Sequence, residues 1–130
     1  MSAGAVFASF LALTLVLLGL VVATGLRARR RWHISFVALA VASLCATIAC
    51  ARRLGDHYDL ASAGAITPIH LTLAKIATAA YLLPIATGLR TIFRPGTRPL
   101  HRRLAFFVLG LTVLTAMTGT WMILASERIG

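Results

Sequence analysis

The chain has 130 residues, 59% of them hydrophobic, and its 13 basic residues against three acidic ones give a net charge of +10. Its mean hydropathy of +0.90 exceeds what a soluble domain of this size can hide in one core, so the composition excludes a soluble globular protein. The apolar runs lack the alternation of barrel strands, and helices are therefore the form in which the chain is expected to cross a membrane.

Four apolar stretches are each long enough to cross a bilayer as a helix of about 20 residues. The predicted spans, in chain order, are residues 3–25, 34–51, 68–89 and 104–125. Met1 to Ala5 has no basic segment of the kind that opens a signal peptide, so we expect the first span to remain in the protein. We predict an all-α fold, an integral membrane four-helix bundle of up-down-up-down topology that forms a single transmembrane domain over residues 1–130.

Basic residues are concentrated in two links, one between spans 1 and 2 and one between spans 3 and 4. The arginines are Arg27, Arg29, Arg30 and Arg31 in the first link and Arg90, Arg94, Arg98, Arg102 and Arg103 in the second, nine of the 13 basic residues. The positive-inside rule predicts that both links are cytoplasmic and both termini outside, in a prokaryotic inner membrane. Topology and attraction to the anionic lipid bilayer account for the charge, so no nucleic acid is expected as a partner.

The pentapeptide ATGLR occurs twice, at residues 23–27 and 86–90, each time where a span meets an arginine-rich link. In both halves a histidine opens the next span, His33 in the first half and His101 in the second. Two-helix units repeated in tandem have the same topology and are related by an axis along the membrane normal. The chain is therefore predicted to consist of two tandem helical hairpins.

Under that symmetry His33 and His101 are expected at the same depth and on equivalent faces. Two imidazoles that converge between helices can supply both axial ligands of a haem b, or two ligands of a copper or zinc ion. Arg31, Arg102 or Arg103 would then be placed to pair with the haem propionates through charge-assisted hydrogen bonds. The alternative is that both histidines are interfacial polar residues that hold no cofactor.

A second pair of histidines is predicted toward the outer side. His70 lies in the first turn of the third span, and the equivalent position of the first span is Phe7, so symmetry supplies no partner there. His57 in the outer loop, next to Asp56 and Asp59, is the other imidazole that could join His70 in a metal site.

Two further residues of the third predicted span, Lys75 and Pro84, are candidates for a functional or structural role. Lys75 is an ionisable residue within a span, which indicates a functional site, although a lysine whose amine reaches the membrane surface explains it as well. Pro84 removes a backbone hydrogen bond to Ala80 and should kink the helix, unless Thr87 or a neighbour compensates.

Three segments together resemble a known family. They are RRWHISF at 30–36, IHLTLAKIATAAYLLPIATGL at 69–89 and LHRRLAFFVLGLTVLTAMTGTWMIL at 100–124. The chain is similar to the small four-helix, histidine-bearing membrane proteins typified by CtaM, an assembly factor for haem-copper cytochrome oxidase. In that family a histidine opens one helix, a histidine followed by Leu-Ala opens another with a proline midway along it, and His-Arg begins the last helix, which ends near a glycine. The matching residues are His33, His70, Pro84, His101 with Arg102, and Gly119.

The resemblance covers roughly residues 30 to 125 and departs in one place. The family has another histidine at the outer end of its second helix, whereas the segment ARRLGDHYDL brings His57 a few residues later. Small b-type membrane cytochromes are similar to the chain in a looser way.

The resemblance implies a non-catalytic protein that binds haem b, or copper as an alternative, and assists assembly of a cytochrome oxidase. It implies cofactor ligation by His33, His101 and His70, with Arg102 next to His101. From the residues themselves we add Arg31 as a basic neighbour of His33 and His57 as a further metal ligand. Two other classes stay open: a b-type cytochrome that takes electrons from a quinol, and a cofactor-free structural subunit of a respiratory or other membrane complex. A homo-oligomer is left open as well.

Several classes find no support in the sequence. All three acids lie outside the predicted spans, whereas a proton-coupled drug exporter needs a carboxylate within the membrane. The chain has no glycine-rich phosphate loop and no cysteine pair at the spacing of metal ligands, which argues against a nucleotide-binding protein and a zinc finger.

Overall fold

The computed structural model describes residues 1–129, and four of its helical segments are long and apolar enough to cross a membrane. These segments are Ala3–Leu26, Arg30–Gly55, Ile66–Phe93 and Pro95–Ala125. The all-α prediction and the four predicted spans are confirmed, and the chain is a membrane protein by the length and composition of its helices.

The regular elements follow one another as five α-helices and two very short strands. They are α1 (Ala3–Leu26), α2 (Arg30–Gly55), β1 (Tyr58–Asp59), α3 (Ile66–Ala80), α4 (Leu82–Phe93), α5 (Arg98–Ala125) and β2 (Glu127–Arg128). β1 pairs with β2, and short 3₁₀ turns cover Leu60–Ala63 and Pro95–Thr97. The third predicted span is thus made of two helices, α3 and α4.

The chain divides into two compact units, each built on one helical hairpin. The first unit runs from Met1 to Tyr58 and takes in the chain end from Arg128, and the second runs from Asp59 to Glu127. In the first unit α1 packs along α2, and we call this pair hairpin 1. In the second unit α3 and α4 both pack on α5, and we call these three helices hairpin 2. The two hairpins follow one another along the chain, as the ATGLR repeat predicts.

Helices at the arginine-rich ends begin earlier than predicted. α2 begins at Arg30 rather than at 34, and α5 begins at Arg98 rather than at 104. Hydropathy marks only the part of a helix that lies in hydrocarbon, whereas arginine is a good helix former and its long side chain suits a helix end in the headgroup region. The two histidines therefore lie within the first turns of these helices rather than before them.

The third span is interrupted at Tyr81, three residues before Pro84. Pro84 has no N–H to donate to the carbonyl of Ala80, which explains why the helix breaks here. The Thr87 hydroxyl donates to the carbonyl of Leu83 at 2.8 Å, and the interruption agrees with the effect expected of Pro84. The Tyr81 hydroxyl lies 2.6 Å from Thr112 Oγ1 of α5, which ties the break to the opposite helix.

The two hairpins bury different interiors. Hairpin 1 has a polar centre, in which Thr14 Oγ1 lies 2.7 Å from Ser43 Oγ and 2.9 Å from Thr47 Oγ1. Thr14 is only 1% exposed, which makes this hydroxyl cluster the most buried part of hairpin 1. Hairpin 2 buries Ala77 and Val108 around the contact of Tyr81 with Thr112. Small and hydroxylated residues let membrane helices approach closely and bond across the interface.

Candidate functional site

Three of the four histidines place their rings against a glycine of the opposite helix in their own hairpin. A Cβ atom added to that glycine would lie 3.0 Å from Cε1 of His33 or of His101, and 2.7 Å from Cε1 of His70. The pairs are His33 with Gly25, His101 with Gly88, and His70 with Gly119. In each pair the glycine is preceded by a threonine, so the ring lies on a Thr-Gly dipeptide.

Glycine is needed at these positions because the ring occupies the space of a side chain. At Gly19 and Gly110, which also lie within spans, a Cβ would have no atom of the described residues within 4 Å. The close approach is therefore specific to the three glycines that face a histidine. Both copies of ATGLR supply such a glycine, and the segment MTGTW supplies the third.

His33 is brought to Gly25 by a very tight link. α1 ends at Leu26, and the N–H groups of Ala28 and Arg29 bond back to the carbonyls of Gly25 and Thr24 at 3.2 and 3.0 Å. Ala28 adopts a φ of 54°, the left-handed conformation that closes a helix in this way. α2 then starts at once, so that its first turn lies beside the last turn of α1.

The hydrogen bond of His33 defines which ring nitrogen carries the hydrogen. Nδ1 lies 2.9 Å from the carbonyl oxygen of Val21. Because a carbonyl oxygen only accepts, Nδ1 is the donor, and the neutral ring has its lone pair on Nε2.

The rings of His101 and His70 each have a threonine hydroxyl beside Nδ1, and the His70 ring also bonds the backbone carbonyl of Thr115. His101 Nδ1 lies 3.2 Å from Thr87 Oγ1, and His70 Nδ1 lies 3.1 Å from Thr118 Oγ1. Each hydroxyl has one hydrogen and donates it to a carbonyl of its own helix, at 2.8 Å for Thr87 and 2.9 Å for Thr118. The hydroxyl therefore accepts from Nδ1–H, and the lone pair of the neutral ring lies on Nε2 again.

This arrangement suits a metal ligand. Histidines that bind a metal through one nitrogen usually donate the other N–H to a carbonyl or another fixed acceptor, which sets the tautomer and the ring orientation. All three rings are half-buried within their hairpins rather than fully exposed to lipid.

Arginine and aromatic side chains accompany the two histidines of the arginine-rich ends. Arg31 and Arg102 are both exposed, two residues before His33 and one residue after His101. The Arg102 guanidinium lies 5.9 Å from the centre of the Phe106 ring, at a distance that allows a cation–π contact. In hairpin 1 the rings of Trp32 and Phe36 stack at 6.0 Å. Each arginine-rich end thus offers one imidazole with exposed guanidinium groups beside it.

His57 differs from the other three histidines because its side chain is exposed and follows the end of α2. Its backbone carbonyl accepts a hydrogen bond from Ile129 N at 2.9 Å. Asp56 and Asp59 beside it are exposed too, and the Asp59 carboxylate accepts from the Ala61 N–H at 3.1 Å. Lys75 is exposed on the surface of α3.

No group of three or more His, Cys, Asp or Glu side chains among residues 1–129 is arranged to hold a metal ion. The predicted pairing of His33 with His101 joins residues of both units, as does that of His57 with His70, and both stay predictions.

The sequence analysis does not predict which residues contact the rings of His33, His70 and His101. The ATGLR repeat indicates the correct segments, but the repeat by itself predicts a duplicated helix end and does not show that a histidine ring lies on the threonine and glycine. A usable signal exists: each of the last two spans has a histidine in its first turns and a Thr-Gly dipeptide 17 residues later.

Comparisons of the chain with protein-family models, with curated proteins and with solved structures found no match.

Proposed function

We propose that the chain is a non-catalytic haem-binding membrane protein that assists the assembly of a haem-copper cytochrome oxidase. The haem part of this proposal is supported by the histidine geometry, and the oxidase part by the resemblance to the CtaM-like family. The protein acts in a prokaryotic inner membrane with its arginine-rich links in the cytoplasm, as the positive-inside rule predicts.

One observation carries the haem proposal. His33 donates its Nδ1–H across the hairpin to a carbonyl, so that Nε2 holds the lone pair that an iron ion needs. His101 has the same tautomer through Thr87. These residues fit a haem in their chemistry: imidazole for the iron, with Arg31 and Arg102 available for the propionates. When bound, haem would supply the iron centre that is handed on or protected, while the chain orients the rings and anchors the acid groups. Copper is the alternative cofactor for the same nitrogen ligands.

The test is a haem titration of the purified full-length protein in detergent, followed by absorption at the Soret band. We expect wild-type protein to bind haem, and His33→Ala or His101→Ala to lose at least tenfold in affinity or to lose the band. Ser35→Ala is the matched control, because Ser35 is an exposed residue two positions from His33 whose hydroxyl bonds only its own helix. A wild-type protein that forms no Soret band, or histidine variants that bind like wild type, would overturn the haem proposal.

Reduction of bound haem by a quinol separates the assembly role from that of an electron carrier. We expect the bound haem to stay oxidised in the presence of a quinol and to pass to an apo-oxidase subunit in the same detergent. Rapid reduction by the quinol would instead identify a b-type cytochrome.

A structural subunit is the second candidate, and a specific observation favours it. Every one of the three rings that lie on a Thr-Gly dipeptide also bonds to the opposite helix, so the histidines fasten the hairpins together without any cofactor. In that case the histidine variants would lower the stability of the hairpins, and the wild-type protein would contain neither haem nor metal.

A further inference from the structure

The end of α2 that lies farthest from the arginine-rich link has an open groove, which we call the α2 groove. Its volume is about 500 Å³, and all of its lining residues belong to α2: Cys45, Ile48, Ala49, Arg52 and Arg53. Residues at spacings of three and four lie on one face of a helix. Ser43 and Thr47 lie against Thr14 of α1, and Cys45 and Ala49 follow them by two residues, about half a turn. The groove therefore lies on the side of α2 that is turned away from α1.

The α2 groove has an apolar part and a charged part in the order that a phospholipid requires. Cys45, Ile48 and Ala49 form the apolar part. Arg52 and Arg53 follow in the last turn of the helix, and both are exposed. At 1.5 Å per residue the groove extends about 12 Å along the helix. An acyl chain can therefore lie along the apolar part while its phosphate group reaches the two guanidinium groups.

Membrane topology does not explain these two arginines. Basic residues at this end of α2 oppose the orientation that the arginine-rich links favour, because the positive-inside rule counts Lys and Arg near the ends of spans. Arginines in a last turn also offset the negative end of the helix dipole. That effect needs no apolar groove on the same face of the helix, so it does not account for the arrangement.

Hairpin 2 provides an internal contrast. α5 is its second helix, as α2 is in hairpin 1, and each of these helices has a histidine in its first turns. Counted from that histidine, Arg52 and Arg53 correspond to Thr120 and Trp121. The last turn of α5 contains no basic residue. The arginine pair is thus not a general requirement for ending the second helix of a hairpin, and hairpin 1 alone combines it with a groove.

We propose that the α2 groove binds one anionic phospholipid, such as phosphatidylglycerol. The phosphate bonds to the guanidinium groups of Arg52 and Arg53, and an acyl chain lies along Ile48 and Ala49. Arginine holds phosphate through charge-assisted hydrogen bonds, frequently two at once. A zwitterionic headgroup brings an ammonium group of the same sign as the arginines, so the groove prefers an anionic lipid. The site uses no histidine and is independent of the haem proposal.

Native mass spectrometry of the full-length protein, released from detergent micelles, counts the lipids that stay bound. We expect one phosphatidylglycerol to bind more tightly than phosphatidylcholine. An arginine near the membrane surface changes binding about fivefold, so Arg53→Gln should weaken this first binding event by that factor and the double variant Arg52→Gln/Arg53→Gln by roughly 30-fold. Arg128→Gln is the matched control, because it removes one charge from the same predicted outer side at an exposed residue that does not line the groove. It should leave the first binding event unchanged.

Two further measurements keep the test decisive. The double variant Arg52→Lys/Arg53→Lys keeps both charges and should bind phosphatidylglycerol more tightly than the glutamine pair. Phosphatidylglycerol with a photoactivatable diazirine in its acyl chain should crosslink to residues 45–49 in wild-type protein and not in the glutamine pair. Crosslinks outside the groove, equal binding of the two lipids, or an equal loss in Arg128→Gln and Arg53→Gln would overturn the inference. Displacement of the lipid by the same concentration of inorganic phosphate would overturn it too, because the groove would then be a simple anion site.

Discussion

The two copies of ATGLR are identical in sequence but are used differently in the two hairpins. In both hairpins a histidine ring of the opposite helix occupies the space that a side chain at the glycine would fill. In hairpin 1 the ring bonds a backbone carbonyl, and in hairpin 2 it bonds the threonine hydroxyl. The links differ as well, because α2 begins four residues after α1 ends, whereas Pro95–Thr97 forms a 3₁₀ turn between α4 and α5. The close approach of a histidine ring to the glycine is what the two copies share.

The two hairpins also differ in the polar contacts at the centre of their interiors. Hairpin 1 is held at its centre by the Thr14 hydroxyl, which contacts the hydroxyls of Ser43 and Thr47, and hairpin 2 by a single tyrosine–threonine contact beside the interruption of its first span. Each hairpin therefore has a polar contact at mid-span, together with one ring-on-glycine contact at the link end in hairpin 1 and one toward each end in hairpin 2. The substitutions below test the relative strength of these fastenings, from the largest expected effect to the smallest.

Gly119→Ala should have the largest effect. Its Cβ would lie 2.7 Å from Cε1 of His70, which is closer than van der Waals contact allows, so the ring must leave its place. We expect a loss of about 1 to 3 kcal/mol in unfolding free energy, the usual cost of overpacking. The measurement is unfolding by SDS in mixed micelles, followed by circular dichroism. Gly25→Ala and Gly88→Ala, where the distance is 3.0 Å, should cost less, and a wild-type midpoint for Gly119→Ala would contradict the contact.

Thr14→Val should come next and should act on hairpin 1. The substitution keeps the shape of the side chain but removes the oxygen that lies within 2.9 Å of both Ser43 and Thr47. We expect a cost of about 1 to 2 kcal/mol, since measured hydrogen bonds between membrane helices reach this range when they are well buried. The same SDS titration measures it, with the exposed Thr78→Val as control because the Thr78 hydroxyl bonds only its own helix. Equal midpoints for the two variants would show that the hydroxyl cluster contributes nothing.

Tyr81→Phe should have a smaller effect on hairpin 2. It removes one hydroxyl contact, while Thr112 keeps its bond to the carbonyl of Val108 at 2.8 Å and is left satisfied. We expect a loss of about 0.6 kcal/mol, the average for interhelical hydrogen bonds in membranes. A double-mutant cycle with Thr112→Val isolates the contact. Additive effects in that cycle would mean that the two hydroxyls do not interact.

Gly110→Ala should have the smallest effect and the opposite sign. No atom of the described residues would lie within 4 Å of the new Cβ, and alanine is the better helix former. We expect a gain of about 0.5 kcal/mol, and the same for Gly19→Ala in hairpin 1. A clear loss of stability at either position would indicate that these glycines face a neighbour after all, for example a second copy of the chain in the detergent micelle.

Much of the fold could be predicted because hydropathy and charge report directly on the bilayer. The four spans and the hairpin topology follow from apolar runs and from arginine links, and the structure bears them out. The extra turns of α2 and α5 could not be seen in this way, since arginines at 30 and 98 look like link residues to a hydropathy argument. The interruption at Tyr81, next to Ala80, follows from Pro84, because a proline leaves free the carbonyl one turn before itself.

The site was predicted only in part, for a different physical reason. Histidine stands out in an apolar sequence, so His33, His70 and His101 are easily chosen. Their partners are a glycine, a threonine or a backbone carbonyl, and in a membrane protein such residues are common throughout the spans. Which of them faces a ring depends on the rotation of one helix against the other, and a single sequence does not encode that rotation in any simple pattern.

In hairpin 2 the ring of His70, near the start of α3, lies on Gly119 of α5, and the ring of His101, near the start of α5, lies on Gly88 of α4, and this reciprocal arrangement has a consequence for insertion into the bilayer. Turned upside down, this hairpin would still present a histidine seated on Thr-Gly to each leaflet, with the tyrosine–threonine contact at the midplane. These interior contacts are therefore the same in either direction, whereas the arginines of the link make the two ends of the hairpin differ in charge.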